Sequence, residues 1–218
     1  MITATIGVSA LIRAVFLLSK LCYDVYMKSK NNQYQDNKKE KVAIYIDGSN
    51  FYNYLKDKEI DFPKGKKFDY LKFVELLAGG REISSVRYYT GVFRNTDNSE
   101  KSKKLVKNQQ RFLSHLENIG FCIKRGRILQ DGGGSREKGT DVRIAIDLVV
   151  GAIDNFYDSA ILVSSDTDLI PAIDYIKYKN KKIEYVGFSH APSFAMIKHS
   201  HFRRLLLPSD IKQFEADW

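Results

Sequence analysis

Three aspartate-bearing segments hold the side chains most able to do chemistry. Asp47 stops the apolar run Val42 to Ile46 in KVAIYIDGSN. Asp141 opens a helical pattern in EKGTDVRIAIDLVVGA. Asp166 and Asp168 follow the run Ile161 to Val163 in AILVSSDTDLIPAI. In an open parallel sheet, strand ends line one edge and ligands sit in the crevice there. Carboxylates from distant parts of the chain would meet at that edge, where they repel one another unless a cation joins them. The set implies a hard metal with oxygen ligands, Mg²⁺ or Mn²⁺. In a basic protein, such a site points to phosphate chemistry.

Strands and helices must bring these carboxylates together. Val42 to Ile46 is unbroken and apolar, as in a strand buried on both faces. Residues 50–56 read as a short helix and 61–68 as a loop. A helix is expected over 69–77, with Asp69 as N-cap and Gly79-Gly80 ending it. Residues 85–92 and 121–125 read as strands, joined by a helix over 102–118. Residues 129–138, which contain GGGS, read as a flexible loop. The next helix, over 140–156, shows an apolar stripe of Val142, Ala145, Ile146, Val149 and Val150. Strands at 160–164, 182–187 and 202–207 alternate with helices at 168–177 and 193–199. This alternation predicts an α/β fold with a parallel sheet and helices on both faces.

Composition narrows the function. The 218 residues carry a formal net charge of +9, unevenly spread. Residues 81–138 hold 13 Lys/Arg against six Asp/Glu, whereas 139–174 hold seven aspartates against Arg143 alone. A basic half beside an acidic half suits a metal enzyme acting on a polyanion; the bland reading is a lysine-rich solvated surface. Cys22 and Cys122 make no CxxC or CxxH spacing, which argues against a disulfide scaffold or a zinc site. Both sit among apolar residues and read as inert, and this usage suits a cytoplasmic protein. His199 and His201 have a metal-like spacing, but two histidines are too few for a zinc centre. No GKS or GKT follows the GGGS run, which disfavours a nucleotide triphosphatase.

Residues 1–40 read as an N-terminal extension and linker ahead of a domain over 41–218. Arg13 and Lys20 break the apolar run of residues 2–21, which leaves a weak anchor or an imperfect signal peptide as the alternatives to a plain extension, and no stable membrane insertion is expected. Met27 opens a polar stretch that looks like a natural start, which makes 1–26 an upstream extension or a surface helix.

YIDGSNFY, EKGTDVRIAIDLV and AILVSSDTDLIPAI, in that order, with GFSHAPS after the next strand, resemble the NYN domain. This is a branch of the PIN-like ribonuclease superfamily, close to the LabA-like group. The resemblance covers roughly 41–208. It implies a three-layer αβα sandwich with a mostly parallel central sheet, PIN-like and Rossmann-like, and a metal-dependent endoribonuclease site. Asp47 matches the aspartate ending strand one, and Asn50 the asparagine of D-G-S-N. Asp141 matches the aspartate of K-G-x-D, and Asp166 and Asp168 match the paired acidic positions after strand four. The four aspartates are the expected metal ligands, and with Asn50 the expected catalytic set. Every acidic position the resemblance calls for is present.

Each residue also has a plainer reading. Asp47 precedes Gly48 and suits a turn. Asn50 either caps the next helix or orients a water or the scissile phosphate. Asp141 suits the first turn of a helix, and Asp147 is expected to be peripheral, paired with Arg143. In SSDTD, one aspartate caps a helix while the other reaches the metal, and Ser164, Ser165 and Thr167 offer hydrogen bonds to phosphate or metal-bound water. Lys103, Lys107 and Arg111 recur every four residues and form one helical stripe beside the segment holding Arg125, Arg127, Arg136 and Lys138. Such stripes are usually solvated faces; here the stripe, with Ser165, Arg136 and Lys138, is expected to hold single-stranded RNA. Tyr52, Tyr54, Tyr88 and Tyr89 are candidates to stack on bases, although most aromatics in such a chain are core.

The expected function is a hydrolase that cuts phosphodiester bonds of single-stranded RNA by in-line attack of a metal-activated water. The alternative is a catalytically silent RNA-binding or regulatory module. A flap-type DNA nuclease would show a helical arch, and a haloacid-type phosphatase needs D-x-D where this chain has D-G-S-N.

Overall fold

Alternating apolar strands and amphipathic helices assemble here around one twisted sheet. The structure is a computed structural model that describes residues 39–58, 60, 62–63, 67–93, 99–131 and 134–216, and of residues 127–138 the backbone only. The extension expected over 1–40 lies, as far as residue 38, outside the described residues, and Cys22 with it.

The strands are β1 (Lys41–Asp47), β2 (Lys67–Phe68), β3 (Glu82–Val92), β4 (Cys122–Asp131), β5 (Gly134–Lys138), β6 (Ser159–Val163), β7 (Lys182–Phe188), β8 (Phe202–Leu206) and β9 (Glu215–Ala216). The helices are α1 (Gly48–Leu55), α2 (Tyr70–Ala78), α3 (Glu100–Asn118), α4 (Thr140–Ile153), α5 (Ile170–Tyr178), α6 (Phe194–His199) and α7 (Pro208–Lys212), with a 3₁₀ turn at Thr167–Leu169.

The main sheet runs β5-β4-β3-β1-β6-β7-β8. Its strands are parallel except β5, which pairs antiparallel with β4. β1 lies at the centre and is buried on both faces, as its unbroken apolar run requires. Alternate residues feed two cores. Val42, Ile44 and Ile46 face α1, α2 and α3 through Phe51, Phe73, Leu77 and Leu116. Ala43 and Tyr45 face α4, α5 and α6 through Ile144, Leu148, Ile173 and Met196. The result is a three-layer αβα sandwich with a mostly parallel sheet.

The chain leaves β1 towards β3 on one side, and leaves β6 towards β7 on the other. β1 and β6 are neighbours. Their C-terminal ends therefore flank a topological switch point, where a crevice opens in folds of this kind.

Several expected elements differ. The expected loop at 129–138 is instead the β4–β5 hairpin, paired from Arg127↔Lys138 to Asp131↔Gly134. Gly132-Gly133, the two residues between the paired Asp131 and Gly134, are themselves a hairpin signal in the sequence. The C-terminal tail adds β9, which pairs with β2 inside the expected 61–68 loop. On α4 the buried positions are Thr140, Ile144, Leu148, Gly151 and Ala152; of the expected stripe, Ala145 and Val149 are half-buried against this core, whereas Val142, Ile146 and Val150 are exposed. Both faces of α4 are apolar, so periodicity alone rotates the inward row, and three of the five expected residues face outward. Cys122 is exposed on β4 rather than held in apolar surroundings. Among the described residues, no helix is long and apolar enough to cross a membrane.

Candidate active site

The C-terminal end of β1 delivers Asp47 to the switch point, where it is 5% exposed. Its carboxylate is held from two sides. Oδ1 accepts the backbone N–H of Asn50 at 3.0 Å, which makes Asp47 the N-cap of α1. Oδ2 accepts the hydroxyl of Ser164, just beyond β6, at 3.0 Å. Ser164 Oγ in turn accepts the Asp166 N–H at 3.2 Å. One buried hydroxyl thus ties the end of β1 to the loop after β6.

Gly48 permits the sharp exit into α1. A Cβ there would stand 2.5 Å from the Tyr88 ring, so D-G-S-N needs its glycine for space. Asn50 spans the crevice. Its Oδ1 accepts the Ser165 N–H at 3.2 Å. That bond orients the amide and leaves the Nδ2 end for a ligand. Asn50 therefore braces the loop after β6, while the cap of α1 is Asp47 itself.

The opposite wall is the first turn of α4. Gly139 precedes it at φ +84°, a left-handed conformation that favours glycine, and offers no side-chain cap. Thr140 and Asp141 follow directly. Together with Asp47, Ser49, Asn50 and Asn53 they line a cleft of about 250 Å³. Asp47, Asn50 and Asp141 are thus brought together.

Asp166 and Asp168 stand at the same sheet edge but do not line this cleft. Asp166 caps the 3₁₀ turn, its Oδ1 accepting the Asp168 N–H at 2.9 Å. Among the described residues, no three His, Cys, Asp or Glu side chains are grouped to hold a metal ion. Ser165 is a brace as well: its hydroxyl bonds to that of Tyr185 at 2.8 Å, and Tyr185 accepts the Ser193 N–H at 3.2 Å.

Ser49, Asn53 and Thr140 were not singled out by sequence. Ser49 and Asn53 lie one helical turn apart on α1, and Thr140 adjoins Asp141, so helical spacing around the two aspartates was the available signal.

Asp147 is not peripheral, and its partner is not Arg143. It accepts the Tyr89 hydroxyl at 2.8 Å and forms ion pairs with Arg87 at 3.3 Å and Lys124 at 3.8 Å. This pins the middle of α4 to β3 and β4. Burial beside this carboxylate pushes the Tyr89 hydroxyl far above the ordinary phenol range.

The basic stripe lies on α3. Lys103 pairs with Glu100 at 3.0 Å in solvent. Lys107 and Arg111, with Lys67, Gln110, Ser114, His115 and Asn118, line a second, open groove of about 590 Å³. Arg136 and Lys138 sit on β5; their side chains lie outside what the structure describes. Of the four tyrosines, Tyr88 and Tyr89 are buried, Tyr54 stacks on Phe188, and Tyr52 is exposed.

The fold has a counterpart in the crystal structure of a protein of unknown function from Vibrio parahaemolyticus. That protein is 25% identical over 83% of this chain and 99% of its own, with a TM-score of 0.61. No curated protein matches significantly. The NYN domain family matches residues 41–205, which contain both walls of the cleft and most of the sheet, and the chain belongs to that family.

Proposed function

We propose that this chain is a metal-dependent endoribonuclease that hydrolyses phosphodiester bonds in single-stranded RNA. NYN domains are PIN-like domains of nuclease type. The observation that carries the reading is the pairing of Asp47 and Asp141 across one polar cleft at the switch point of the sheet.

The donor set fits a hard divalent cation. The cleft offers carboxylate, amide and hydroxyl groups and neither imidazole nor thiolate. Mg²⁺ commonly takes one or two protein carboxylates and completes its shell with water and substrate phosphate. Asp47 and Asp141 would hold it, and Asp166 borders the same edge. Mg²⁺ or Mn²⁺ there would lower the pKa of a water and hold the leaving oxygen.

The chain's own groups do the positioning. Ser164 and the Asn50 N–H lock the Asp47 carboxylate in one rotamer, so little reorganisation is needed as charge develops. Asn50 Nδ2 is left to donate to a phosphate oxygen. The first turn of α4 adds the positive end of a helix dipole beside the same cleft. Lys107 and Arg111 offer cations to the backbone of the strand.

The test is cleavage of a labelled unstructured RNA by purified protein with Mg²⁺ or Mn²⁺, with and without EDTA. The expected result is cleavage that EDTA stops and that Asp47→Asn slows by about a hundredfold or more, with the melting temperature retained. Cleavage by Asp47→Asn in EDTA at the wild-type rate would overturn the reading. RNA binding without turnover in either version would make the chain a silent RNA-binding module.

A further inference from the structure

The helix that carries Asp141 has a second apolar face with no partner within the described residues. Val142 is 63% exposed, Ile146 55%, Val150 42% and Ile153 51%. At 3.6 residues per turn these four fall within about 80° of the circumference. The stripe is nearly opposite the buried row of Ile144, Leu148, Gly151 and Ala152. A helix that is apolar on both sides is expected to be covered on both. Scattered exposed aliphatic residues need no explanation, but a contiguous stripe on one helix does.

We propose that the outer face of α4 is a homodimer interface, occupied by the same face of a second copy of this chain. Charge decides for a second copy. Arg143 and Asp154 lie on the same flank of the stripe, and among the described residues neither makes an ion pair. Two α4 helices packed antiparallel about a two-fold axis passing between Leu148 and Val149 place Arg143 of one copy level with Asp154 of the other. The symmetry makes that pair twice, as an isologous interface must. In the same register the levels of Val142, Ile146, Val150 and Ile153 interleave with their mates, so the apolar side chains mesh instead of colliding.

A helix pair alone buries less than the roughly 1,200 Å² that specific dimers usually need. The same layer supplies more apolar surface. Phe156, just past α4, is 51% exposed, and Tyr175 and Tyr178 on the adjacent α5 are 38% and 77% exposed. The inference rests on the outer surface of α4 and α5 and is independent of any catalytic role for the cleft.

Sedimentation equilibrium of the full chain at about 10–100 µM, a range that spans typical weak dimers, tests it. The expected mass is twice the 25.0 kDa of one chain. Ile146→Glu with Val150→Glu should give monomer, with far-UV circular dichroism unchanged because both positions face solvent in the monomer. Arg143→Glu should weaken the dimer at least tenfold, and adding Asp154→Arg should restore it. The last pair of variants keeps the test decisive even if the glutamates disturb folding. A wild-type monomer throughout this range would overturn the proposal. So would a dimer indifferent to all of these variants, which would locate self-association elsewhere.

Discussion

At the scale of single residues, the Asp47 carboxylate is held by groups just beyond the ends of two neighbouring strands. Asp47 is nearly buried and uses both oxygens, one for the α1 cap and one for Ser164. Ser164 is 2% exposed and serves Asp47 and Asp166 together. Ser164→Ala should therefore cost about 1–2 kcal/mol of stability, the usual range when a buried hydrogen-bonding group loses its partner. It should also slow cleavage about tenfold, since Asp47 would lose the hydroxyl that holds its Oδ2. Urea unfolding and single-turnover cleavage measure these separately; an unchanged rate would show that the hydroxyl is only a structural tie. Asp47, Asn50 and Asp141 were legible in the sequence because each sits where a strand ends or a helix begins. The bond from Ser164 was not, because its partner is 117 residues away and only the β1–β6 pairing brings them together.

At the scale of elements, most strands and helices followed from local pattern. Asp69 caps α2 by accepting the Lys72 N–H at 3.0 Å, and Gly79 ends that helix at φ +57°, both as the residue types require. Elsewhere tertiary context overrode local pattern. β2 and β9 are two residues each and exist only through each other. α4 is apolar on both sides, so its inward face depends on what it packs against. Asp147 shows the same dependence: its partners Arg87, Tyr89 and Lys124 come from two strands, not from its own helix. Its side chain is 18% exposed, and those of Arg87 and Lys124 are 15% and 23%. Asp147→Ala would leave two largely buried cations without this anion and Tyr89 without its acceptor. The expected loss is about 3 kcal/mol, typical of breaking a buried pair from one side. Denaturant titration of the variant checks it. A loss under about 0.5 kcal/mol, the range of ordinary surface changes, would mean that α4 is held by its apolar row alone.

At the scale of the whole molecule, the fold separates the two chemistries that the sequence only hinted at. The acidic cleft lies at the β1–β6 switch point, and the cations of α3 line a groove of their own. If RNA follows both, replacing Lys107 and Arg111 with alanine should weaken binding. The slope of log affinity against log salt should fall by about 1.4, or 0.7 for each cation on a single strand. The chemical step at saturating RNA should hold within about twofold, because neither residue lines the cleft. An unchanged slope would mark the stripe as a solvated face. The central claim, however, is that folding joins Asp47 and Asp141 into one cation site. A crystal soaked in Mn²⁺ and measured at the manganese absorption edge tests this most directly. The account predicts an anomalous peak within ligand distance of both carboxylates in the wild type, lost in Asp47→Asn. An ordered Mn²⁺ bound elsewhere, or an empty cleft at saturating Mn²⁺ in a protein that cleaves RNA, would contradict it.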